Sequence, residues 1–335
     1  MPMTNRVMTS FIKSLGALTV ITAAFGLTQM LPAAQTTPAA RARGPAAYSP
    51  PRLPDGQPDI QGVYSNATYT PFERPANLGD KEFFTPEEAA ALAKARLDDL
   101  KDQPSDTHYD DAIWQSEKED RGLTSLRTSI ITEPKNGRLP PMNEEGRRRN
   151  AERDAARKKV DPFQSAQTRS LSERCIIWTH EGPPILPTGY NSHLQIIQGP
   201  GYVVLMHEMM RDARIIPLDG RPHLTPAIRQ YRGDSRGHWE GNTLVIETTN
   251  FTSVTAFRGA SDAQKVIERL TPVDAKTVRY QFTVEDRKTW DVPWSGEVPL
   301  IRSEDQIYEY ACHEGNYGLP NILRAQRVAE GAPVK

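Results

Sequence analysis

The chain has 335 residues, 41 basic and 42 acidic, and a formal charge of −1 at neutral pH. Such a balance exerts no long-range pull on a polyanion, so nucleic acid is not an expected partner. Two cysteines are too few for a disulfide-rich scaffold and leave one candidate bridge, Cys175 with Cys312.

The first 42 residues carry Arg6, Lys13 and Arg41 and no acidic residue. An apolar run over 15–31 follows Lys13, and Ala40-Arg41-Ala42 fits a small-x-small cleavage site. That is the pattern of a secretory signal peptide over 1–42. The run is short for a membrane span and holds Thr19, Thr22, Thr28 and Gln29. The expectation is therefore export, to the periplasm or beyond, with no stable membrane insertion after cleavage. Cleavage removes three basic and no acidic residues, leaving 38 and 42 and a net charge of −4. In an oxidising compartment Cys175 and Cys312 are expected to form a disulfide.

A linker rich in Pro, Ala and Gly, read as disordered, occupies 43–54. The part from 55 to 170 reads as loop-rich and helical. Thr85 as N-cap, Pro86 at the first helical position and Glu88 closing a capping box predict a helix over 85–101. Leu92, Ala95, Leu97 and Leu100 give it an apolar face that should pack on the sheet. A second, highly charged helix is expected over 143–160, solvated and laced with i,i+4 charge pairs.

From about 171 the period changes from helical to alternating. "LQIIQ", "YVVLMHE", "ARIIPL", "GHW", "TLVIETTNF", "KVIERLTPV", "TVRYQFTVED", "TWDVPWSGEVPLI" and "QIYEYAC" read as strands joined by tight turns. The fold class is mainly β, an antiparallel meander over 171–320 closed as a lipocalin-like eight-stranded barrel, or else folded as a β-sandwich. Such a barrel has room for one small ligand inside. "VVLMHE" and "ARIIPL" are apolar on both faces, so the helical part is expected to cover them. Residues 321–335 form a tail.

"QGVYSNATYTPFERP", "FFTPEEA", "RTSIITEPKNGRLPP", "SERC", "DARIIPLDGRPH", "GDSRGHWEGNTLVIETTNF" and "YEYACHEGNYG" occur in this order over almost the whole mature chain. Together they resemble a group of exported bacterial proteins of unassigned function. The resemblance implies export and carries no reaction, cofactor or catalytic residue with it.

Candidate chemistry therefore rests on residue types. There is no H-E-x-x-H, no C-x-x-C, no phosphate-binding Gly-rich loop and no G-x-S-x-G elbow. Neither a metal nor an organic cofactor is expected, although His207, His238 and His313 on separate strands leave a cross-strand metal site open. A His-Glu dipeptide recurs at His180, His207 and His313. Neighbours on a strand face opposite sides, so a His-Glu dipeptide cannot present both side chains to one pocket while the strand stays regular, and Glu314 follows the end of the last strand. His207 would instead meet an acid from elsewhere, Asp234 or Glu314. Arg214 shares the face of Ile216, and if buried it needs an acidic partner. The bridge would hold the "HEGNYG" turn at a pocket containing His207, Arg214, His313 and Glu314 as catalytic groups. Tyr190, Asn191, Trp239 and Asn316 would contact the ligand.

Two function classes follow. The first is an exported enzyme without an organic cofactor, using acid–base chemistry (elimination, isomerisation or hydrolysis) on a small oxygen-rich or aromatic molecule. The second is a non-catalytic, small-molecule-binding β-barrel. They differ in whether titratable groups converge in the pocket. Oligomeric state is not legible.

Overall fold

The computed structural model describes residues 48–101, 124–178, 180–188 and 190–331. The expected signal peptide lies outside the described residues, as does the start of the linker. The described end of that linker is tied down, with Arg52 donating to the Gly56 carbonyl at 2.7 Å and to Asn242 at 2.9 Å.

Among the described residues ten strands are present: β1 (Gly62–Ser65), β2 (Ile131–Glu133), β3 (His193–Gly199), β4 (Tyr202–His207), β5 (Ala213–Pro217), β6 (Asp234–Glu240), β7 (Thr243–Thr249), β8 (Lys265–Pro272), β9 (Thr277–Glu285) and β10 (Trp294–Arg302). Every ladder is antiparallel, in the order β5-β4-β3-β1-β10-β9-β8-β7-β6, with β2 added on β10. The sheet curls into a nearly closed barrel. At the seam between β5 and β6, Gly237 matters because a Cβ there would come within 2.8 Å of Ile216 and Leu218. Its bare backbone lets those side chains close the barrel by packing.

Alternation builds the interior. Leu194, Ile196, Val203, Leu205, Ile216, Leu244, Ile246, Val266, Leu270, Val278, Tyr280, Phe282, Val284, Trp294, Val298 and Leu300 all point inward and are buried. Each fully buried side chain of this size contributes about 1.5–3 kcal/mol relative to exposure. Phe282, Trp294 and Trp290 stack edge-on with ring centroids 5.8 Å apart, and Phe72 and Phe257 extend the cluster at about 6 Å. The stretch 177–188 enters from the same end. Ile185 is fully buried and its amide donates to the Tyr280 hydroxyl at 2.8 Å. Among the described residues, Ile185 and the inward side chains of the strands thus pack together in the barrel interior.

Among the described residues three α-helices accompany the sheet: α1 (Pro86–Lys101), α2 (Glu144–Lys158) and α3 (Gly318–Ala329). The capping box on α1 is formed, with Glu88 N donating to Thr85 Oγ1 at 3.2 Å and Thr85 N to Glu88 Oε2 at 2.8 Å. Thr85→Ala should lower stability by about 1 kcal/mol in urea unfolding; an unchanged midpoint would show that α1 frays regardless. On α2, Asn143 caps Gly146 at 2.9 Å and Arg148 pairs with Glu152, an i,i+4 pair on a solvated face.

Four sequence expectations are corrected. The part over 55–170 is not only a cover, since it supplies β1 at the middle of the sheet and β2 on β10. Among the described residues the helical cover does not reach the outside of β3–β5, where Ile197, Tyr202 and Ile215 are exposed, and α1 buries only Ala89 among its described side chains. "QIYEYAC" is not a strand, because β1 and β2 already occupy the free side of β10. The tail includes most of the amphipathic helix α3.

Candidate functional site

The interior is apolar except at one end, where strand parity turns several charged side chains inward. Arg214 on β5 and Glu268 on β8 form a two-pronged ion pair, both contacts 2.8 Å, with Glu268 fully buried. Tyr280 on β9 donates its hydroxyl hydrogen to the same carboxylate at 2.8 Å. The Tyr280 hydroxyl therefore receives the Ile185 amide and gives to Glu268. Burial, followed by the charge of Glu268, holds its pKa well above the ordinary range.

Glu181, carried in by the 177–188 stretch, is 2% exposed and paired with Arg232, which also binds Asp212 and the Gly182 carbonyl. Burial raises the Glu181 carboxyl to about 7 against the pull of Arg232. The Trp178 backbone also favours its charged form, yet Oε1 has no hydrogen bond of good geometry. His207, at the end of β4, is 5% exposed and its Nε2 is likewise unpartnered. Burial, with Arg232 and Arg214 nearby, keeps this imidazole well below its usual pKa and so neutral.

A cavity of about 10 Å3 lies here, lined by Asn66, His180, Glu181, Leu186, Asn191, His193 and His207 among others. Beside it, His193 Nδ1 meets Glu208 Oε2 at 3.0 Å. Residues 303–317 run past as a strap: Tyr308 N donates to Glu208 Oε1 at 3.3 Å, and Glu309 pairs with Arg211 at 3.0 Å. Cys312 is bridged to Cys175, with Cα atoms 5.7 Å apart. Tyr310 hydrogen-bonds Tyr190 and feels the charge of Glu181; burial is the main cause of its raised pKa. Outside the strap a second, broader pocket of about 570 Å3 is lined by Cys175, Asn191, Glu309, Tyr310, Cys312, Glu314 and Asn316, among others. Asn191 lines both this pocket and the small cavity.

The sequence candidates fall into separate places. His207 and Arg214 are inside the barrel. Glu314, Asn191 and Asn316 line the outer pocket, and Asn316 Nδ2 lies 3.3 Å from Cys175 Sγ. His313 is exposed and lines neither space. The four residues expected around one cavity thus do not meet, because the last stretch is not a strand and Glu314 never turns inward. The acid facing the small cavity with His207 is Glu181; Asp234 is engaged with His223 at 2.9 Å and Arg236 at 2.6 Å. Trp239 faces inward at the opposite end and donates to Gln57 at 2.7 Å. His180 is half-buried, and burial lowers its pKa. His238 is exposed beside Glu240. Among the described residues no three His, Cys, Asp or Glu side chains stand together in a way that could hold a metal ion, and no helix is long and apolar enough to cross a membrane. Sequence reasoning missed Glu181, Arg232, Glu268 and Tyr280. Glu268 and Tyr280 carried a signal as inward positions of predicted strands, and Glu181 as the acid of a recurring His-Glu dipeptide; Arg232 carried none.

No family model, curated protein or solved structure matches this chain.

The two perturbed groups set opposite pH dependences. Folded Glu181 keeps its proton to about pH 7 while the unfolded carboxyl loses it near 4.5, so its contribution to stability falls as pH rises between them. Unfolded His207 gains a proton below about 6.5 and the folded group does not, so stability falls as pH drops below that value. Each slope is at most about 1.4 kcal/mol per pH unit, and they oppose one another between 4.5 and 6.5. Urea titrations of His207→Gln should therefore show stability falling from pH 4.5 to 7. Those of Glu181→Gln should show it rising from 4.5 to 6.5. Variant profiles parallel to wild type would remove both assignments.

Proposed function

We propose that the protein is an exported enzyme that performs elimination, isomerisation or hydrolysis by acid–base chemistry on a small oxygen-rich or aromatic molecule. The ligand occupies the outer pocket beside the disulfide, among Asn191, Tyr310, Glu314 and Asn316, with Tyr190 at its edge. The Tyr310 hydroxyl, which hydrogen-bonds Tyr190 and feels the charge of Glu181, touches it on the side from which protons pass to and from Glu181. Glu181 suits this role because its pKa near 7 lets it give and take a proton at working pH. Neutral His207 stands behind it, and Arg214 with Glu268 positions that end of the barrel. One observation carries the reading: titratable groups with pKa values pushed apart converge on the small cavity, which shares Asn191 with a pocket large enough for a metabolite. Export is supported by the N-terminal pattern and by a disulfide suited to an oxidising compartment.

The test is a thermal-shift screen of a metabolite library on the mature chain, with product analysis of every hit. Turnover that disappears in Tyr310→Phe and in Glu181→Gln, with ligand binding kept, supports the proposal. Hits that bind and are recovered unchanged would make the protein a carrier.

A further inference from the structure

Three of the side chains lining the 10 Å3 cavity each carry a polar atom that is fully buried and without a hydrogen-bond partner: Asn66 Oδ1, Glu181 Oε1 and His207 Nε2. All three residues are more than nine-tenths buried. An orphaned polar atom costs roughly 1–3 kcal/mol, so three around one space call for an occupant. The orientation of Asn66 is fixed, since its Nδ2 donates to the Leu186 carbonyl at 3.1 Å and its backbone amide to the Ser192 carbonyl at 3.1 Å. Its Oδ1 must accept. Glu181 is already held through Oε2 by Arg232, which leaves Oε1 for a different partner.

The size and chemistry of the space select that partner. About 10 Å3 of room is close to the minimum for a single water, and a buried water makes two to four hydrogen bonds. A cation is disfavoured because Arg232 and Arg214 already place positive charge against His207. An anion would face the acceptor oxygens of Asn66 and Glu181. A water can donate to both oxygens and accept from His207 Nε2–H. When Glu181 is protonated on Oε1, the water can instead accept from the carboxyl and donate to the bare His207 Nε2.

We propose that this cavity holds one ordered water, hydrogen-bonded to Asn66, Glu181 and His207, which bridges the carboxyl and the imidazole as a proton path. The path role rests on the acid–base reading above; the water site does not. It places His207, which does not line the outer pocket, in contact with the chemistry of Glu181 without a direct bond between them.

A crystal structure of the disulfide-bonded protein, at a resolution that shows single waters, is the first test. One peak within about 2.6–3.2 Å of all three atoms is expected. An empty cavity, a metal ion at the peak, or Glu181 and His207 bonded directly to each other would overturn the proposal. The second test is water relaxation dispersion in solution, comparing wild type with His207→Phe, whose ring removes the nitrogen and fills space. Wild type should show one more long-lived internal water than the variant. Equal numbers in a variant that keeps its fold would also overturn it. Neither measurement depends on knowing a substrate, so the water site can fail while the enzymatic reading stands, and the reverse.

Discussion

Glu268→Gln is expected to cost about 3–5 kcal/mol of stability, measured by urea unfolding near neutral pH. The side chain is nearly isosteric, so packing is unchanged; what is lost is the charge facing Arg214. Arg214 is 6% exposed, its Nη1 and Nη2 bond Glu268 at 2.8 Å, and its Nε is already unpartnered. Removing the carboxylate leaves a cation in a low-dielectric interior with no compensating charge. The Tyr280 hydroxyl would keep an acceptor in the Gln amide oxygen, so the penalty traces to the ion pair. The double replacement Arg214→Met with Glu268→Leu should recover part of the loss, because two desolvated charges are exchanged for apolar volume while the Tyr280 hydroxyl loses its acceptor. If Glu268→Gln alone costs less than 1 kcal/mol, water reaches Arg214 and this end of the barrel is not dry.

The second large effect belongs to the disulfide. Replacing both Cys175 and Cys312 with Ser should lower stability by about 4–5 kcal/mol under non-reducing conditions, the chain-entropy value for a loop of this size. The bridge spans 137 residues and closes most of the barrel into one loop. Reductant should destabilise the wild type by a similar amount and leave the Ser variant unchanged. The strap should also loosen, since between Arg302 and α3 it is otherwise held by exposed contacts such as Arg211 with Glu309. A loss below 1 kcal/mol would mean that the unfolded chain is already compact around the two sulfurs.

The barrel was legible because period-two alternation is a local signal. Strands β3 to β10 were all visible as short apolar runs between turns, and inward positions such as Arg214 followed from parity with Ile216. The Cys175–Cys312 pair followed from having only two cysteines. β1 was hidden because four residues, "GVYS", are too short to show a period, and only the long-range pairing with β3 and β10 makes them a strand. The stretch 306–312 misled in the opposite way: it alternates like a strand, but the side of β10 that it would have joined is already taken by β1 and β2. Half of the polar cluster was illegible for a related reason. Glu181 and Arg232 sit in irregular chain, where no periodicity states which way a side chain points, and 51 residues separate them. His207 is buried, in keeping with its place at the end of an apolar strand, but its neighbour depends on how the stretch carrying Glu181 enters the barrel.

The whole functional reading turns on Glu181 being a buried carboxyl poised near neutrality. Carbon-13 NMR of protein labelled at glutamate side-chain carboxyls, with Glu181→Gln to assign the signal, measures this directly. A titration midpoint close to 7 for Glu181, far above the 4.5 of an ordinary glutamate, is the expected result. A midpoint at or below 4.5 would mean that the Arg232 pair outweighs burial, and Glu181 would be a permanently charged structural anchor with no acid–base role.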